Sequence, residues 1–250
     1  MNYPALPVLY RDDTIAVVNK PPQMLVHRTE ISNGDSVFAL QCAREQFGHH
    51  VWVVHRLDRA TSGVLVFAFS AEMASALGRA MMAGKVTKRY AAIVRGWGPQ
   101  QLLIDHALTP PKDPYLRVQK LEPQEAITLA HCLARSEVPV VTQSAFPTTR
   151  VSLMELRLVT GRRHQLRRHM KHIAHPIIGD STYGKGPVNR ALASYWSVER
   201  LLLHCATMSF IHPITAQMMT IRAEPDEGFA RVLQTMGWTE DYNKAFSLLP

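Results

Sequence analysis

The chain has 250 residues, of which 46% are hydrophobic, and its 28 basic and 20 acidic side chains give a net charge of +8. This length is ample for a packed core, and the charge suits a polyanionic partner. No apolar run approaches the roughly 20 residues that cross a bilayer, and we expect no signal peptide, which argues against membrane-spanning and secreted classes. Cys42, Cys132 and Cys205 are isolated and predict reduced thiols in a cytoplasmic protein.

The first part of the chain is predicted to hold three strands and one helix. Lys20-Pro21-Pro22 ends the first strand, because proline cannot donate to a β-ladder. Lys20 is either a surface lysine or a residue that steadies the neighbouring loops. The predicted elements are a strand over residues 9–19, a helix that begins at Asp35 or Ser36 and ends at Phe47, and strands over residues 51–54 and 64–69.

A polar loop, residues 55–63, separates two of these strands and carries Asp58 between two arginines. A loop between buried strands is how a rigid scaffold presents a reactive group. Arg56 and Arg59 place positive charge beside the carboxylate, and Gly63 allows a substrate or a backbone to approach closely. We interpret Asp58 as a nucleophile; an aspartate that only pairs with arginine is the alternative.

The middle of the chain predicts a helix followed by several strands. The helix runs from Ser70 to Gly84 and has a methionine-rich stripe typical of a core face. Tyr90 lies in the next strand, where a tyrosine is usually a core residue with a hydrogen-bonded hydroxyl. Residues 96–125 contain five prolines and predict an irregular excursion with one or two short strands. Strands are predicted over residues 85–95, 127–135, 140–146 and 151–159.

Positive charge is concentrated between Arg150 and Lys171, where seven basic residues accompany one acid. Such a cluster suits a phosphate track, although a solvated basic helix face is the alternative. A turn at Thr160-Gly161 leads into a predicted helix that reaches about Ala174. In this helix Arg167 borders the apolar stripe, so that its stem can be buried while its guanidinium reaches a cleft. The stripe consists of Leu166, Met170 and Ile173.

Four histidines lie in or near this predicted helix, at positions 164, 169, 172 and 175. A zinc enzyme of the common type needs a His-Glu-x-x-His helix or a similar set with a third ligand. No carboxylate follows these histidines before Asp180, so we expect no metal site. The rest of the chain predicts a strand over residues 201–211 and a helix from Asp226 to Gly237, and the pattern of the last dozen residues is uninformative.

Several stretches resemble the RluA family of pseudouridine synthases. The most specific is His-Arg-Leu-Asp-x-x-Thr-Ser-Gly, over residues 55–63. The chain departs from the family at Gln23, where glycine is usual. The other matching stretches are Asn19-Lys20-Pro21 with Val26-His27, Lys88-x-Tyr90, and His164-Gln165-Leu166-Arg167 with the residues as far as Gly184.

The resemblance implies an α+β fold, in which a central, mostly antiparallel sheet is split by a catalytic cleft and flanked by helices. It also implies one catalytic domain over residues 1–250, without the S4-like domain of many members. The implied reaction isomerises a uridine in RNA to pseudouridine and needs no cofactor. Arg95-Gly96-Trp97 and the Gln-Leu-Arg-Arg-His stretch are most similar to the tRNA pseudouridine-65 synthases, which implies a tRNA partner modified in its acceptor or T-stem region.

The resemblance also implies residue roles. Asp58 acts on the target uridine, Arg167 forms an ion pair with it, and Tyr90 stacks on the base and assists proton transfer. Arg56 is implied to fill the gap that an extruded base leaves. The further residues that we predict to bind RNA are Arg59, Lys88, Arg162, Arg163 and Arg168.

Three alternatives stay open at this point. The first is the same chemistry on a ribosomal RNA uridine. The second is a non-catalytic RNA-binding or tRNA-folding module that uses the same basic surface. The third is a hydrolase that cleaves a nucleoside bond and releases free uracil. In each case we expect a cytoplasmic protein, a monomer, with no membrane and no metal.

Overall fold

The structure, a computed structural model, describes residues 3–27, 37–111 and 121–247. Within these residues it contains ten strands and six helices, which is the predicted α+β class. In chain order they are β1 (Val8–Arg11), β2 (Ile15–Lys20), α1 (Ala39–Phe47), β3 (Trp52–Val53), β4 (Ser62–Ala68), α2 (Ala71–Met82), β5 (Thr87–Arg95), β6 (Gln101–Asp105), β7 (Ile127–Val138), β8 (Thr149–Leu158), α3 (Gln165–His172), α4 (Gly186–Trp196), β9 (Leu203–Ile211), β10 (Met218–Arg222), α5 (Glu227–Thr235) and α6 (Thr239–Phe246).

The strands form one sheet with the order β1-β2-β4-β9-β5-β8-β7-β6, in which β3 also pairs with β4 and β10 with β9. The described pairs are antiparallel except β4 with β9, which run parallel and pair through Ser62–His204 and Gly63–Cys205. The sheet is therefore mostly antiparallel, as predicted. Gly63 has a φ of 113°, and a Cβ there would collide with the carbonyl oxygen of Cys205. Glycine is thus required where β4 and β9 pair in parallel, a place that we call the parallel junction.

Helices cover both faces of the sheet, and β5 shows why its residues 90–94 are all buried. Side chains alternate along a strand, so Tyr90 and Ala92 face the core that includes residues of α1, α2 and α3. Ala91 and Ile93 face the second core, which includes residues of α4, α5 and α6. No helix in the described ranges is long and apolar enough to cross a membrane.

Local capping signals in the sequence are confirmed. The Ser70 hydroxyl accepts a hydrogen bond from the amide three residues later, at 3.1 Å, and begins α2. Asp226 caps α5 in the same way. Helix α1 ends at Phe47, as predicted. It begins at Ala39, after Phe38 in an extended conformation, and the predicted start at Asp35 or Ser36 lies outside the described residues.

The predicted strand over residues 9–19 is wrong in part, because the chain forms the hairpin β1–β2 there. The cause is Asp12, whose carboxylate accepts from the amides of Thr14 and Ile15 at 2.7 and 2.9 Å. Such a side-chain bond to the backbone stabilises a turn.

The predicted strand over residues 140–146 is also wrong. Strands β7 and β8 pair as far as Val138 and Thr149, so the residues between them form a hairpin loop. The apolar side chains that suggested a strand, Val141 and Phe146, are 62% and 59% exposed. The Thr149 hydroxyl donates to the carbonyl of Val140 at 2.6 Å and closes this loop.

The C-terminal half contains elements that the sequence analysis missed. These are α4, β10 and α6, of which α6 buries Tyr242 and Phe246 beside Phe229. The helix expected to reach Ala174 is shorter, because α3 ends at His172 and Ala174 has a φ of 65°.

Candidate active site

The loop that carries Asp58 lines a cleft of about 2380 Å³. The cleft lies at the parallel junction. Its lining includes residues 55–61, which lead into β4, and residues 198–201, which precede β9. Residues 157–167 and the first part of β5 form further walls. All three predicted catalytic residues line this cleft: Asp58, Tyr90 and Arg167.

The predicted ion pair between Asp58 and Arg167 is present. Nη1 of Arg167 donates to Oδ2 of Asp58 at 3.2 Å. The Arg167 side chain is 8% exposed, whereas that of Asp58 is 27% exposed. The carboxylate therefore faces the cleft while its partner is anchored in the protein.

Asp180 fixes the orientation of Arg167. Its carboxylate accepts from Nε at 2.7 Å and from Nη2 at 2.9 Å, a bidentate arrangement that suits a planar guanidinium. Oδ1 also accepts from the amides of Thr182 and Tyr183. Burial alone would raise the pKa of Asp180, but the bonds from Arg167 and these amides lower it overall. Asp180 thus stays ionised, and Arg167 keeps one donor directed at Asp58.

Tyr90 lies in β5, lines the same cleft as the loop that carries Asp58, and is 5% exposed. Its pKa is raised well above the ordinary range, first by burial, then by the neighbouring Cys205 thiol and the charge of Asp58. The phenol is therefore neutral at physiological pH. It lines the cleft as a neutral phenol rather than as a phenolate.

His164 is a site residue whose role the sequence analysis did not identify. Its Nε2 lies 3.8 Å from Oδ1 of Asp58, and its Nδ1 lies 3.1 Å from the hydroxyl of Tyr183. The only sequence signal was its place three residues before Arg167 in a matching stretch.

Lys20 is fully buried, which excludes the surface interpretation. Its ammonium donates to the carbonyl oxygens of Pro21 and Met24 at 2.7 and 2.9 Å, and to that of Arg59 at 3.3 Å. Its pKa is lowered to about 7, mainly by burial and also by the charge of Arg200, while Asp58 opposes the shift. Lys20 therefore ties the end of β2 to the loop that carries Asp58.

A second buried network supports the junction beneath the cleft. Arg200 donates to the hydroxyl of Ser62 and to Asp226, and Ser62 in turn contacts Nδ1 of His204 at 2.8 Å. Burial lowers the pKa of His204 to about 4 and that of Arg200 to about 10. Nε2 of His204 contacts the carbonyl of Ala223 at 3.0 Å, so the neutral ring carries its proton there. Sequence reasoning missed this network because its members are far apart in the chain.

Most of the predicted RNA-binding residues line the cleft. Lys88 and Arg168 are both half-buried, but only Lys88 lines the cleft, and burial lowers its pKa. Two further exposed arginines also line it: Arg157, which belongs to the basic cluster of residues 150–171, and Arg190, which was not predicted. The predicted residues in the cleft are Arg56, Arg59, Lys88, Arg162 and Arg163.

The histidines that were considered as metal ligands do not converge. His172 stacks on His106 with ring centroids 3.7 Å apart, and His169 contacts the Thr128 hydroxyl at 3.0 Å. Across the part of the chain that the structure describes, no three His, Cys, Asp or Glu side chains are grouped as a metal site would require.

Comparisons with known proteins agree with this geometry. The sequence profile of a family described as RNA pseudouridylate synthase matches residues 14–172. Several proteins named tRNA pseudouridine synthase C are similar over most of this chain. The protein of Vibrio vulnificus (strain CMCP6) is 45% identical over 93% of this chain and 96% of its own. The protein of Pasteurella multocida (strain Pm70) is 44% identical over 93% and 97%.

Solved structures show the same fold. Human RNA pseudouridylate synthase domain containing 4 has a TM-score of 0.68 at 22% identity, covering 92% of this chain and 93% of its own. Human RNA pseudouridylate synthase domain containing 1 has a TM-score of 0.66 at 24% identity, covering 88% and 83%. The family profile and the curated relatives confirm the resemblance of the sequence motifs, and the chain belongs to the RNA pseudouridylate synthases of the RluA family.

Proposed function

We propose that this protein isomerises a uridine in tRNA to pseudouridine, with Asp58 as the group that acts on the nucleoside. The observation that carries the proposal is the anchored ion pair: Asp58 lies in the cleft, 3.2 Å from the guanidinium of Arg167. The tRNA substrate is favoured over ribosomal RNA by the names of the curated relatives. Uridine 65, in the T-stem region, stays a prediction.

The arrangement suits a reaction that breaks a bond and rejoins the same two fragments. The bond between uracil N1 and ribose C1′ breaks, the base rotates, and C5 joins C1′. Asp58 supplies a carboxylate for the bond-breaking step, and Arg167 and Asp180 hold it in one orientation. The ring of Tyr90 offers a stacking face that keeps the detached base in place. Since no electrons are gained or lost overall, the chemistry requires no redox cofactor.

The charges of the cleft support RNA as the substrate. Among the described residues, Arg56, Arg157, Arg163 and Arg190 have no acidic partner. Some surface arginines outside the cleft pair with acids instead. Examples are Arg150 with Glu137 at 2.9 Å and Arg231 with Glu227 at 2.7 Å. Unpaired guanidinium groups gathered in one cleft are suited to phosphates.

A uridine inside a stem must leave the stack before this cleft can act on it. Arg56 is exposed, lies two residues from Asp58 and fills the vacated position in our proposal. Arg59, Lys88, Arg162, Arg163 and Arg168 contact the RNA around it. We further propose that the protein works as a cytoplasmic monomer through a single catalytic domain.

The test is to map pseudouridine in tRNA and ribosomal RNA from cells with and without the protein, and to repeat the modification with purified protein. We expect one tRNA site to disappear and to be restored in vitro. Loss of a ribosomal site instead would overturn the tRNA substrate. Tight tRNA binding without pseudouridine would indicate a binding module, and release of free uracil would indicate a hydrolase.

A further inference from the structure

We infer that His164 is a further catalytic residue, whose neutral imidazole accepts the proton that uracil C5 loses as pseudouridine forms. The inference rests on the proposed function and concerns a later step than the one assigned to Asp58. After C5 joins C1′, that carbon carries both the sugar and its original hydrogen. The aromatic base is restored only when a group in the cleft removes this hydrogen.

The position of His164 suits this task. The residue precedes α3 with φ 55° and ψ 25°, a left-handed conformation that is uncommon for a residue with a side chain. Its side chain makes no capping bond to the helix and lines the cleft instead, with 23% of it exposed. Nε2 lies 3.8 Å from Oδ1 of Asp58, the oxygen that Arg167 does not bind.

The protonation of His164 is also suitable. Nδ1 lies 3.1 Å from the Tyr183 hydroxyl and can donate to it, which leaves the Nε2 lone pair directed at the cleft. Burial lowers the pKa of His164; Asp58 opposes this, Arg167 and Arg163 reinforce it, and Asp180 opposes it weakly. The ring is therefore unprotonated at neutral pH and able to accept a proton.

The neighbouring groups are less able to do so. The pKa of Tyr90 is far above neutrality, so its oxygen already carries a proton. The ammonium of Lys20 is buried and occupied by three carbonyls. His55 is buried, and its Nε2 accepts from the amide of Val66 at 3.2 Å. Asp58 is bound by Arg167 and is engaged in the earlier step.

The proposed step balances without an external reagent. The C5–H bond breaks and its proton moves to Nε2 of His164. The electron pair of that bond forms the C5=C6 double bond, and the electrons of the N1=C6 double bond move to N1. N1 then takes a proton, which the imidazolium can return. No net charge and no electrons are gained or lost.

The experiment compares wild-type protein with His164→Gln in single-turnover reactions on tRNA transcribed with ordinary uridine or with uridine deuterated at C5. We expect the rate of pseudouridine formation in the variant to fall by about 100-fold, with unchanged tRNA affinity. The deuterium effect should be larger in the variant than in wild type, because removal of the C5 proton becomes rate-limiting. His49→Gln, an exposed histidine outside the cleft, is the matched control.

His164→Gly is the second variant, because glycine accepts the positive φ without strain. We expect added imidazole to restore part of its rate, since a small base can enter the cleft. A His164→Gln rate within twofold of wild type would overturn the inference, and so would a slow variant with an unchanged deuterium effect and no imidazole rescue. If wild-type protein forms no pseudouridine at all, the proposed function itself fails.

Discussion

Asp58 and Asp180 are held by the same guanidinium group, that of Arg167. Asp180 is completely buried and binds two of its nitrogens, and Asp58 faces the cleft and binds the third. The buried carboxylate of Asp180 fixes the arginine, and the arginine fixes the carboxylate of Asp58. Asp180 is therefore inaccessible, whereas Asp58 is accessible to a substrate.

The first prediction concerns this shared guanidinium. Arg167→Lys keeps the charge but cannot bind both carboxylates, because an ammonium lacks the planar fork. We expect the single-turnover rate to fall by about 100-fold and the free energy of unfolding to fall by about 3 kcal/mol. Urea denaturation and pseudouridine formation measure the two effects. Arg79→Lys, on the exposed side of α2, should change neither; wild-type activity in Arg167→Lys would contradict the account.

The second prediction concerns the parallel junction of β4 and β9. Gly63→Ala should lower the free energy of unfolding by about 3 kcal/mol or more, because the added Cβ collides with the Cys205 carbonyl and the φ of 113° is unfavourable for alanine. Gly78→Ala is the matched control. Nothing lies within 4 Å of a Cβ there, and Gly78 is inside α2, so alanine should stabilise the protein by about 0.5–1 kcal/mol. Equal effects at both positions would contradict this.

The third prediction is a pH dependence that comes from Lys20. Its folded pKa is about 7, whereas an unfolded lysine titrates near about 10.4. Between these values the unfolded chain binds more protons, so wild-type stability should rise with pH from about 7 to about 10 relative to Lys20→Met. The measurement is urea denaturation of both proteins at pH 6, 8 and 10. Parallel pH profiles would show that Lys20 does not titrate in this window.

The fourth prediction concerns the unpaired arginines of the cleft. Arg190→Ala should weaken tRNA binding and reduce the slope of log affinity against log salt by about 0.7–0.9 if one phosphate contact is lost. Arg157→Ala should behave in the same way. Arg231→Ala, whose guanidinium pairs with Glu227 outside the cleft, should leave the slope unchanged. Binding titrations at several salt concentrations distinguish these outcomes, and identical slopes for all three variants would place the RNA elsewhere.

The sequence predicted those features that depend on neighbouring residues. The caps at Ser70 and Asp226 are local hydrogen bonds to the next turn of the chain. The cleft position of Asp58 and its pairing with Arg167 followed from motifs with specific residue types. Gln23 is informative as well, since its φ of 62° explains why the family favours glycine there.

Features that depend on how distant segments pair could not be predicted. The pairing of β7 with β8 stops at Val138 and Thr149. Residues 140–146 therefore form a loop, although their composition favours a strand. Arg157 and Arg190 lie 33 residues apart in the sequence and share the cleft only because β8 and α4 border it. Helix α6 was missed because its buried side chains pack on a neighbouring helix rather than following a strong local signal.

The most direct test of the central claim is pseudouridine formation by Asp58→Asn. The substitution keeps the size of the side chain and removes its charge, so the variant should still bind tRNA. We expect no pseudouridine and no exchange of the C5 hydrogen with water under conditions in which wild-type protein completes the reaction. Pseudouridine formation by Asp58→Asn at a rate near that of wild type would contradict the assignment of Asp58 as the reactive group.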